Sequence, residues 1–405
     1  MRVLSVIHSF HPAFSGEGEW WLRVVPVLWQ RGVEVEVLTA GGRTQRPEYV
    51  GGVAVHRVPL ARGPGLRAYA AGLAVVTLAL RRLRRRFDLV LFHAPNNDAA
   101  FVSCVAGRLG GWKTLYKTTL LGSDDLDTLA ATGRLGRARV ASLGLAHGVI
   151  SLSRVLVRSH EGRPWLRDKL LVVPQGVDVT RFRPADALRK SSARRQLGLP
   201  VDARVALFCG ALIRRKGVDL LVEAWREVSR QLANAVLVMV GPTHESGLAE
   251  PEDRRFSEAI VRRIRELGLS DRVRLAGYQR GIDTYYTASD VFVLPSRFEG
   301  WGTVITEAMA SALPCVLSDL HGIADEHIDD RVHGFVVRSE EPHEYARHLL
   351  TLLTCDEVAR DVGARARQRA EERFSVERSA DAYAAFFHRV LGDEPASNAN
   401  PPCAA

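Results

Sequence analysis

Two glutamates separated by seven residues form the part of this chain whose residue types are best suited to chemistry. Glu299 and Glu307 follow a predicted apolar strand, Val291 to Leu294, and Gly302 precedes a helix predicted to begin near Thr303. Glycine lets a backbone approach a ligand closely, and the first turn of a helix offers N–H groups and a positive dipole end that suit phosphate. Because a carboxylate repels phosphate, we expect the two glutamates to face neutral hydroxyl groups. A ligand that has hydroxyl groups on both sides of a phosphate fits the description of a sugar nucleotide.

This segment resembles the E-x7-E motif of the retaining GT-B glycosyltransferases of family 4. The matching stretches are Glu299-Gly300-Trp301-Gly302 and Glu307-Ala308-Met309-Ala310. The resemblance implies that Glu299 contacts the transferred sugar and that Glu307 holds the ribose hydroxyls. It also implies that the backbone between them binds the diphosphate, at Gly300, Gly302, Thr303 and Val304. The alternative is an ordinary strand–turn–helix connection of an α/β sheet.

A basic loop follows the first predicted strand of the second half of the chain. Its sequence, Gly210 to Asp219, resembles the phosphate-binding loop of the same family, and Lys216 falls on the family lysine. The family arginine falls on Ala211, so the missing charge would come from Arg214 or Arg215, and the sequence leaves this choice open. Fixed cations lower the barrier to departure of a diphosphate, because negative charge develops on it in the transition state. The alternative is a solvated basic turn at the start of a helix.

A glycine-containing stretch, Ser15-Gly16-Glu17-Gly18-Glu19, follows the first predicted strand. It resembles in part the glycine-rich loop of the family, which implies that Gly16 and Gly18 face the donor and the acceptor. The two glutamates oppose anions, so the stretch is weak as a phosphate cradle. The alternative is a plain helix entry, where acidic residues also complement the dipole. Our prediction for the helix itself is Glu19 to Arg31.

Two further positions are expected on the acceptor side. His93 lies just past the predicted strand Asp88 to Phe92, and ligands bind at the carboxyl ends of strands in open α/β sheets. It matches the second histidine of the family's VHxH pattern, which implies a catalytic role in the acceptor cleft, although a lone histidine is more often structural. Leu121-Gly122-Ser123-Asp124 resembles the family's HGxD segment, with Leu121 in place of the histidine. Asp124 would then orient an acceptor hydroxyl.

Metal and cofactor sites are not expected. Asp125-Leu126-Asp127 has the form of the D-x-D metal motif, but that motif belongs to a different glycosyltransferase fold, and the basic loop already provides cations for the phosphates. The five cysteines are scattered without a C-x-x-C spacing, which favours reduced thiols in a cytosolic setting over a zinc site or a disulfide framework. They are Cys104, Cys209, Cys315, Cys355 and Cys403.

Alternating strand and helix patterns run along the whole chain and predict parallel sheets covered by helices on both faces. The resemblance implies a GT-B fold, in which two Rossmann-like α/β domains face each other across a cleft. We predict an acceptor-binding domain over 1–184, completed by a C-terminal helix at about 376–391, and a nucleotide-sugar-binding domain over 185–375. Residues 393–405 are predicted to be a disordered tail. Val172 to Pro184 resembles the family's IPNGVD…F.P landmark, with Gln175 in place of asparagine.

Charge gives one further prediction. The chain of 405 residues has a net charge of +9, and its densest basic cluster, Arg81 to Arg86, follows an apolar run from Ala68 to Leu80. That run is shorter than the roughly 20 residues that a membrane span needs. The cluster is either a solvated helix end or a patch for anionic lipid headgroups. Nucleic acid is disfavoured, because no aromatic residues are interleaved with the arginines. No signal peptide is evident, so the expected location is the cytoplasm, with possible peripheral contact at the inner face of the membrane.

Together these features predict an enzyme that moves a sugar from a UDP- or GDP-sugar to an acceptor hydroxyl with retention at the anomeric carbon. The expected setting is the synthesis of cell-surface polysaccharide, glycolipid or glycoconjugate, and the acceptor is unknown, with a lipid-linked one favoured. One alternative is a nucleotide-sugar-binding protein that has lost transfer activity, because Ala211 and Leu121 both depart from the family. Another is a different GT-B enzyme, such as a sugar-nucleotide epimerase or a phosphorylase.

Overall fold

A computed structural model provides the structure of the chain. It describes residues 1–8, 10–12, 15–42, 46–59, 66–93, 104, 107–108, 112–122, 125–160, 162–245 and 250–393. Asp124 and the predicted tail after residue 393 lie outside the described residues, so the proposals for both stay predictions.

The first half of the chain builds a mostly parallel sheet. Its strands are β1 (Arg2–Val6), β2 (Glu34–Ala40), β3 (Glu48–Val50), β4 (Val53–Val58), β5 (Leu89–His93), β6 (Lys113–Thr118), β7 (Gly148–Ser151) and β8 (Leu170–Val172). Among the described residues, eight strands lie in the order β3-β4-β2-β1-β5-β6-β7-β8. The pairing of β3 with β4 is antiparallel, while β1 pairs in parallel with β2 and with β5. All five residues of β5 are buried, as expected for a parallel strand that is covered on both faces.

The helices of this half begin where local capping allows. They are Gly16–Gln30, Leu66–Leu83, Leu126–Ala131, Arg134–Leu143 and Arg154–Arg158, with short 3₁₀ turns at Arg84–Arg86 and Pro164–Lys169. The first helix was predicted to begin at Glu19. It begins at Gly16 instead, because Ser15 caps it: the Ser15 Oγ accepts a hydrogen bond from the Gly18 N–H at 3.2 Å. Both glycines of the predicted loop therefore lie in the first helical turn.

The second half of the chain builds another parallel sheet. Its strands are β9 (Arg204–Cys209), β10 (Ala235–Val240), β11 (Val273–Gly277), β12 (Val291–Leu294), β13 (Cys315–Ser318) and β14 (Gly334–Val337). Six strands of the described chain lie in the order β11-β10-β9-β12-β13-β14, and all their pairings are parallel. The order reverses direction between β9 and β12. In open α/β sheets such a switch point is where ligands bind, outside the carboxyl ends of the strands.

The helices of this half cover its sheet. They are Ala187–Gln196, Val218–Gln231, Pro251–Glu266, Asp283–Ala288, Thr303–Ala310, Ala324–His327, Pro342–Thr354 and Asp356–Arg373, with 3₁₀ turns at Arg214–Lys216 and Leu320–Gly322. The last helix of the chain, Val376–Leu391, packs with the first half instead. In the helix that starts at Val218, the buried residues Leu221, Trp225 and Val228 recur every three or four positions and form one apolar face. Among the described residues, no helix combines the length and the apolar character that crossing a membrane would require.

The chain divides into two compact units, and the chain passes between them at Val173/Pro174 and at Val376/Glu377. The second unit begins at Pro174 and not at residue 185, because the backbones of Val177 and Ser375 form a β-bridge within it. Residues 153–155 also belong to the second unit. The last helix, after Val376, belongs to the first unit, where Tyr383 packs on Trp20 with ring centroids 5.6 Å apart.

One glycine brings the basic loop of the second unit next to the loop that follows β12. Gly217 has φ +63°, and a Cβ built on it would lie 1.9 Å from the carbonyl oxygen of Pro295. No side chain fits that gap, and the left-handed backbone itself favours glycine. The absence of a side chain at Gly217 therefore sets the spacing between the two loops.

We expect Gly217→Ala to lower the free energy of unfolding of the second unit by more than about 3 kcal/mol, because it adds a steric clash to the roughly 1–2 kcal/mol for a left-handed alanine. The matched control is Gly198→Ala. Gly198 has nearly the same φ, +65°, but no atom lies within 4 Å of its built Cβ. Thermal and urea unfolding of both variants measure the difference. Equal destabilisation in the two variants would show that the close approach to Pro295 contributes nothing.

Candidate functional site

The two loops that carry the predicted donor residues are joined by one arginine. Both follow neighbouring strands, β9 and β12, at their carboxyl ends. The Arg297 N–H donates to the Arg215 carbonyl at 2.8 Å. Its guanidinium donates twice to Asp219, at 3.0 Å each, and also to Glu340 at 3.1 Å. Arg297 thus fixes the loop after β12 against the basic loop, a role that sequence reasoning did not assign, although the residue stands two positions before the motif.

Glu299 lies at the centre of the site and is almost fully buried. Its carboxylate pairs with the Lys216 ammonium, accepts from the Ser296 hydroxyl at 2.8 Å, and accepts from the Arg215 guanidinium at 3.2 Å. Burial alone would raise the pKa of Glu299, but Lys216 and Arg215 outweigh it, so the net shift is downward. The carboxylate is therefore held ionised. Burial lowers the pKa of Lys216, and Glu299 opposes that shift.

The two arginines of the basic loop have different contacts. Arg215 contacts Glu299 directly and also donates to the Phe298 carbonyl at 2.8 Å. The Arg214 guanidinium instead lies over the ring of Phe256, 5.1 Å from its centroid. The cation beside Lys216 in the site is thus Arg215.

Glu307 lies in the helix Thr303–Ala310 and is 2% exposed. Its carboxylate accepts a hydrogen bond from the Tyr286 hydroxyl at 2.9 Å, and the same hydroxyl lies 3.2 Å from the Val304 carbonyl. Burial raises the pKa of Tyr286 well above its usual value, so the phenol stays protonated and donates. Sequence reasoning missed Tyr286. The available signal was its place in the tyrosine pair just before β12.

The turn between the two glutamates is fixed by the start of the second unit. Gly302 has φ +85° and caps the helix at its amino end. The Thr303 hydroxyl donates to the Gln175 side-chain oxygen at 2.6 Å, and the Trp301 indole N–H donates to the Gln175 carbonyl at 3.2 Å. The glutamine that replaces the family asparagine therefore anchors this turn. Gly300 is buried within it.

Beneath the turn, Trp301 packs on His327 with ring centroids 4.0 Å apart. Burial lowers the pKa of His327 to about 4, so the ring is neutral at physiological pH. Its Nδ1 lies 3.0 Å from the Ile323 carbonyl and donates to it. The turn that carries Glu299 is thus packed, through Trp301, against the neutral ring of His327.

A second buried cluster lies in the first unit, at the carboxyl ends of β5 and β6. His93 is the last residue of β5 and not a residue past it. Its Nε2 lies 2.7 Å from the Ser5 hydroxyl, and its Nδ1 lies 2.6 Å from the Glu17 carboxylate. The same carboxylate oxygen accepts from the Lys117 ammonium at 2.6 Å, and that ammonium lies 4.2 Å from the ring centroid of Trp20. His93 therefore has both ring nitrogens in contact with protein groups.

Burial would raise the pKa of Glu17, but Lys117 and His93 together lower it to about 2. Burial lowers the pKa of His93, so its imidazole is neutral at physiological pH. The cluster thus contains one carboxylate paired with one ammonium. It ties the first turn of the helix Gly16–Gln30 to two strands. Within that turn, Gly18 is close-packed, since a Cβ there would lie 3.1 Å from the Phe10 ring, whereas Gly16 has open space around it.

The aspartates of the D-x-D stretch have structural partners. Asp125 caps the helix Leu126–Ala131 by accepting from the Thr128 N–H at 2.9 Å, and it also accepts from the Gly122 N–H at 2.7 Å. Asp127 pairs with Arg163 at 2.8 Å. Over the residues that the structure describes, no group of three or more His, Cys, Asp or Glu side chains is arranged to hold a metal ion.

The predicted residues fall into two sets, one in each unit. The donor set lies together in the second unit and comprises Lys216, Arg215, Glu299, Gly300, Gly302, Thr303, Val304 and Glu307, with Arg214 turned to Phe256. The acceptor set, Gly16, Gly18 and His93, lies in the first unit.

Solved structures share this fold over almost the whole chain. HepE from Anabaena, in complex with UDP and glucose, is 21% identical with a TM-score of 0.75, and the match covers 96% of this chain and 100% of that one. Sucrose-phosphate synthase from Thermosynechococcus elongatus is 21% identical with a TM-score of 0.76, covering 97% and 100%. The protein is therefore a two-domain α/β protein of GT-B fold.

Sequence comparison gives the family. The glycosyl transferases group 1 model matches residues 189–369, and the glycosyl transferase 4-like domain model matches residues 15–176. D-inositol 3-phosphate glycosyltransferase from Kineococcus radiotolerans is 30% identical over 99% of this chain and 98% of its own length, and that from Nocardia farcinica is 29% identical over 90% and 84%. The chain belongs to the group 1, family 4-type glycosyltransferases and is a transferase enzyme.

The cluster around Glu17 gives a pH-dependent prediction. Because the folded-state pKa of Glu17 is about 2 against an ordinary 4.5, its stabilising contribution is complete above pH 4.5 and is lost as the pH falls toward 2. The shift corresponds to roughly 3 kcal/mol at pH 7. We expect Glu17→Gln to reduce the free energy of unfolding by about that amount at pH 7 and by much less near pH 3.

Urea unfolding of the wild type and the variant between pH 3 and pH 7 measures this difference. The control is Glu19→Gln, which removes the same charge from the same helical turn. A difference between wild type and Glu17→Gln that does not change with pH would contradict the assignment of the ionised form.

Proposed function

We propose that this enzyme transfers a sugar from a uridine diphosphate sugar to an acceptor hydroxyl, with retention at the anomeric carbon. The observation that carries the proposal is the buried Glu299 carboxylate, held by Lys216 and Arg215 at the switch point of the second sheet. The choice of UDP is supported by HepE, whose structures hold UDP and UDP-glucose.

Each group of the site has a distinct task in this proposal. Lys216 and Arg215 neutralise the diphosphate as charge develops on it. Glu299, kept ionised by those same cations, accepts hydrogen bonds from the sugar hydroxyls. Glu307, oriented by Tyr286, accepts from the ribose hydroxyls. The N–H groups in the first turn of the helix that begins at Thr303 bind phosphate oxygens.

The reaction balances without a cofactor or a metal. The bond between the anomeric carbon and the diphosphate oxygen breaks, and the acceptor oxygen bonds to that carbon on the same face of the sugar. The acceptor proton passes to an oxygen of the leaving diphosphate, as the resemblance to family 4 implies. The products are the glycoside and UDP.

The acceptor side is proposed for the first unit. There His93 holds Glu17 and acts as a positioning residue for the first turn of the helix Gly16–Gln30, which carries Gly16 toward the acceptor. The role of Asp124, which lies outside the described residues, stays a prediction. An inositol phosphate is one candidate acceptor, because the relatives above are named as D-inositol 3-phosphate glycosyltransferases. A lipid-linked saccharide is the other candidate acceptor.

The side chains of Arg81, Arg82, Arg85 and Arg86 are exposed, which suits an anionic membrane surface. Binding to such a surface would place the enzyme in cell-surface glycan or glycolipid synthesis.

The test of the function is release of nucleoside diphosphate from a panel of UDP- and GDP-sugars, with and without an acceptor. Transfer predicts release of UDP that depends on an inositol phosphate or on a lipid-linked saccharide, with formation of an α-glycoside from an α-linked donor. An epimerase would convert the donor sugar without acceptor. A non-catalytic binding protein would bind the donor and convert nothing.

The ribose contact can be measured by calorimetry. We expect Glu307→Ala to weaken UDP binding about tenfold or more, because a hydrogen bond to a charged group contributes roughly 1.5–3 kcal/mol. Tyr286→Phe keeps the ring and removes only the hydroxyl, so it is expected to weaken binding by less. Unchanged affinity in Glu307→Ala, with an unchanged melting temperature, would contradict this role.

The cations should affect turnover more than donor affinity. We expect Lys216→Ala to lower kcat roughly 100-fold or more, since it removes stabilisation of charge that develops in the transition state. Arg215→Ala should lower kcat at least about tenfold, and Arg214→Ala should have the smallest effect of the three. A larger loss in Arg214→Ala than in Arg215→Ala would show that Arg214 serves the donor.

A further inference from the structure

A pocket of about 260 Å³ lies in the first unit at the amino end of its sheet. Lys113 is the first residue of β6, His147 directly precedes β7, and Lys169 directly precedes β8. Ligands of open parallel sheets usually bind at the carboxyl ends of the strands, where His93 and Lys117 lie. This pocket is at the opposite edge and has no part in the proposed transfer reaction.

Cationic groups dominate the lining of this pocket. It is lined by Arg108, Lys113, Lys169 and Arg389, by the single carboxylate of Asp168, and by His147. Two contacts hold cations in place. The Lys169 ammonium donates to the carbonyls of Gly144 and Ala146, at 3.0 and 3.1 Å, and the Arg389 guanidinium lies 4.9 Å from the Phe386 ring centroid. The positive charges are therefore close together and held in place. The single carboxylate in the lining cannot neutralise them.

The hydrogen bonds of His147 bring two donor groups together at this pocket. Its Nδ1 accepts from the Thr114 N–H at 3.2 Å, so in the neutral ring the proton is on Nε2. The Arg108 Nη1 lies 3.4 Å from that Nε2. Both are donors, and a neutral imidazole has only one nitrogen that accepts. An oxygen atom of an anion that lies beside this pair, about 2.9 Å from each nitrogen, would accept from both.

The electrostatics agree with this geometry. Burial, together with repulsion from Lys113, Arg108 and Lys169, lowers the pKa of His147 to about 4. Burial also lowers the pKa of Lys169, with a contribution from Arg108. A bound anion would relieve this repulsion and favour the charged form of both groups.

We propose that this pocket binds a phosphate group. Its volume is slightly below the roughly 300–1,000 Å³ of sites for complete small-molecule ligands, so it suits a phosphate or a phosphorylated headgroup more than a whole nucleotide sugar. Arg108 and Arg389 match phosphate oxygens in geometry, and Lys113 and Lys169 supply point charges. The ligand is either a free phosphate compound or the headgroup of an anionic lipid.

Calorimetric titration of the full chain with inorganic phosphate at pH 7.5 is the first arm of the test. We expect saturable binding that is weakened at least tenfold in Lys113→Gln and in Arg389→Gln. The matched control is Arg137→Gln, which removes one exposed positive charge from the helix Arg134–Leu143, outside the pocket. UDP binding is measured in the same samples. It should persist in all variants, since the proposal does not depend on the donor site and a misfolded variant would lose it.

The second arm is co-sedimentation with vesicles of phosphatidylcholine alone and of phosphatidylcholine with phosphatidic acid. If free phosphate does not bind, capture by the acidic vesicles that falls in the two pocket variants, but not in Arg137→Gln, assigns the ligand as a lipid headgroup. In NMR titrations, saturating ligand should raise the pKa of His147 by about one unit or more. Equal losses in the pocket variants and the control, or no binding in either arm, would overturn the proposal.

Discussion

The buried ion pair between Lys216 and Glu299 is the interaction on which the rest of the donor site depends. Neither charge is stable alone in a buried setting, since removing one partner of such a pair commonly costs about 3–5 kcal/mol. The pair can form only because Gly217 lets the basic loop approach Pro295 and because Arg297 fixes the two loops together. The same pair explains how Glu299 stays ionised although it is buried, which is the state that the proposed binding of sugar hydroxyls needs.

Motif spacing predicted which residues of the proposed donor site follow neighbouring strands, because these residues are close in sequence to strand ends. Glu299, Glu307 and Lys216 follow β12 and β9, and neighbouring parallel strands bring their carboxyl ends together. Motif spacing did not predict partners from distant segments. Gln175 and Tyr286 contact the turn and Glu307 through tertiary packing that no local pattern encodes. The choice of Arg215 over Arg214 also depended on packing, since Phe256 comes from a separate helix.

The first unit shows where sequence patterns fall short. The alternation of strands and helices predicted its sheet, but the short strands Glu48–Val50 and Leu170–Val172 carry too few residues to show a period. Glycine spacing predicted a loop at Gly16 and Gly18, and the capping hydroxyl of Ser15 turned that stretch into a helix start. The Glu17 carboxylate, which was expected only to repel anions, is the partner of a buried lysine, Lys117, which lies 100 positions away in the sequence.

The gap at Gly217 has a consequence for protein engineering. Since the backbone of the loop after β12 occupies the space of any side chain there, a library that randomises this glycine returns mostly variants with a disturbed loop. Arg214 is exposed and contacts Phe256, so it leaves more room for change than Arg215, which contacts Glu299. Attempts to alter donor choice are therefore best directed at the side chains around a fixed loop spacing. In such a library, Gly217 is kept constant.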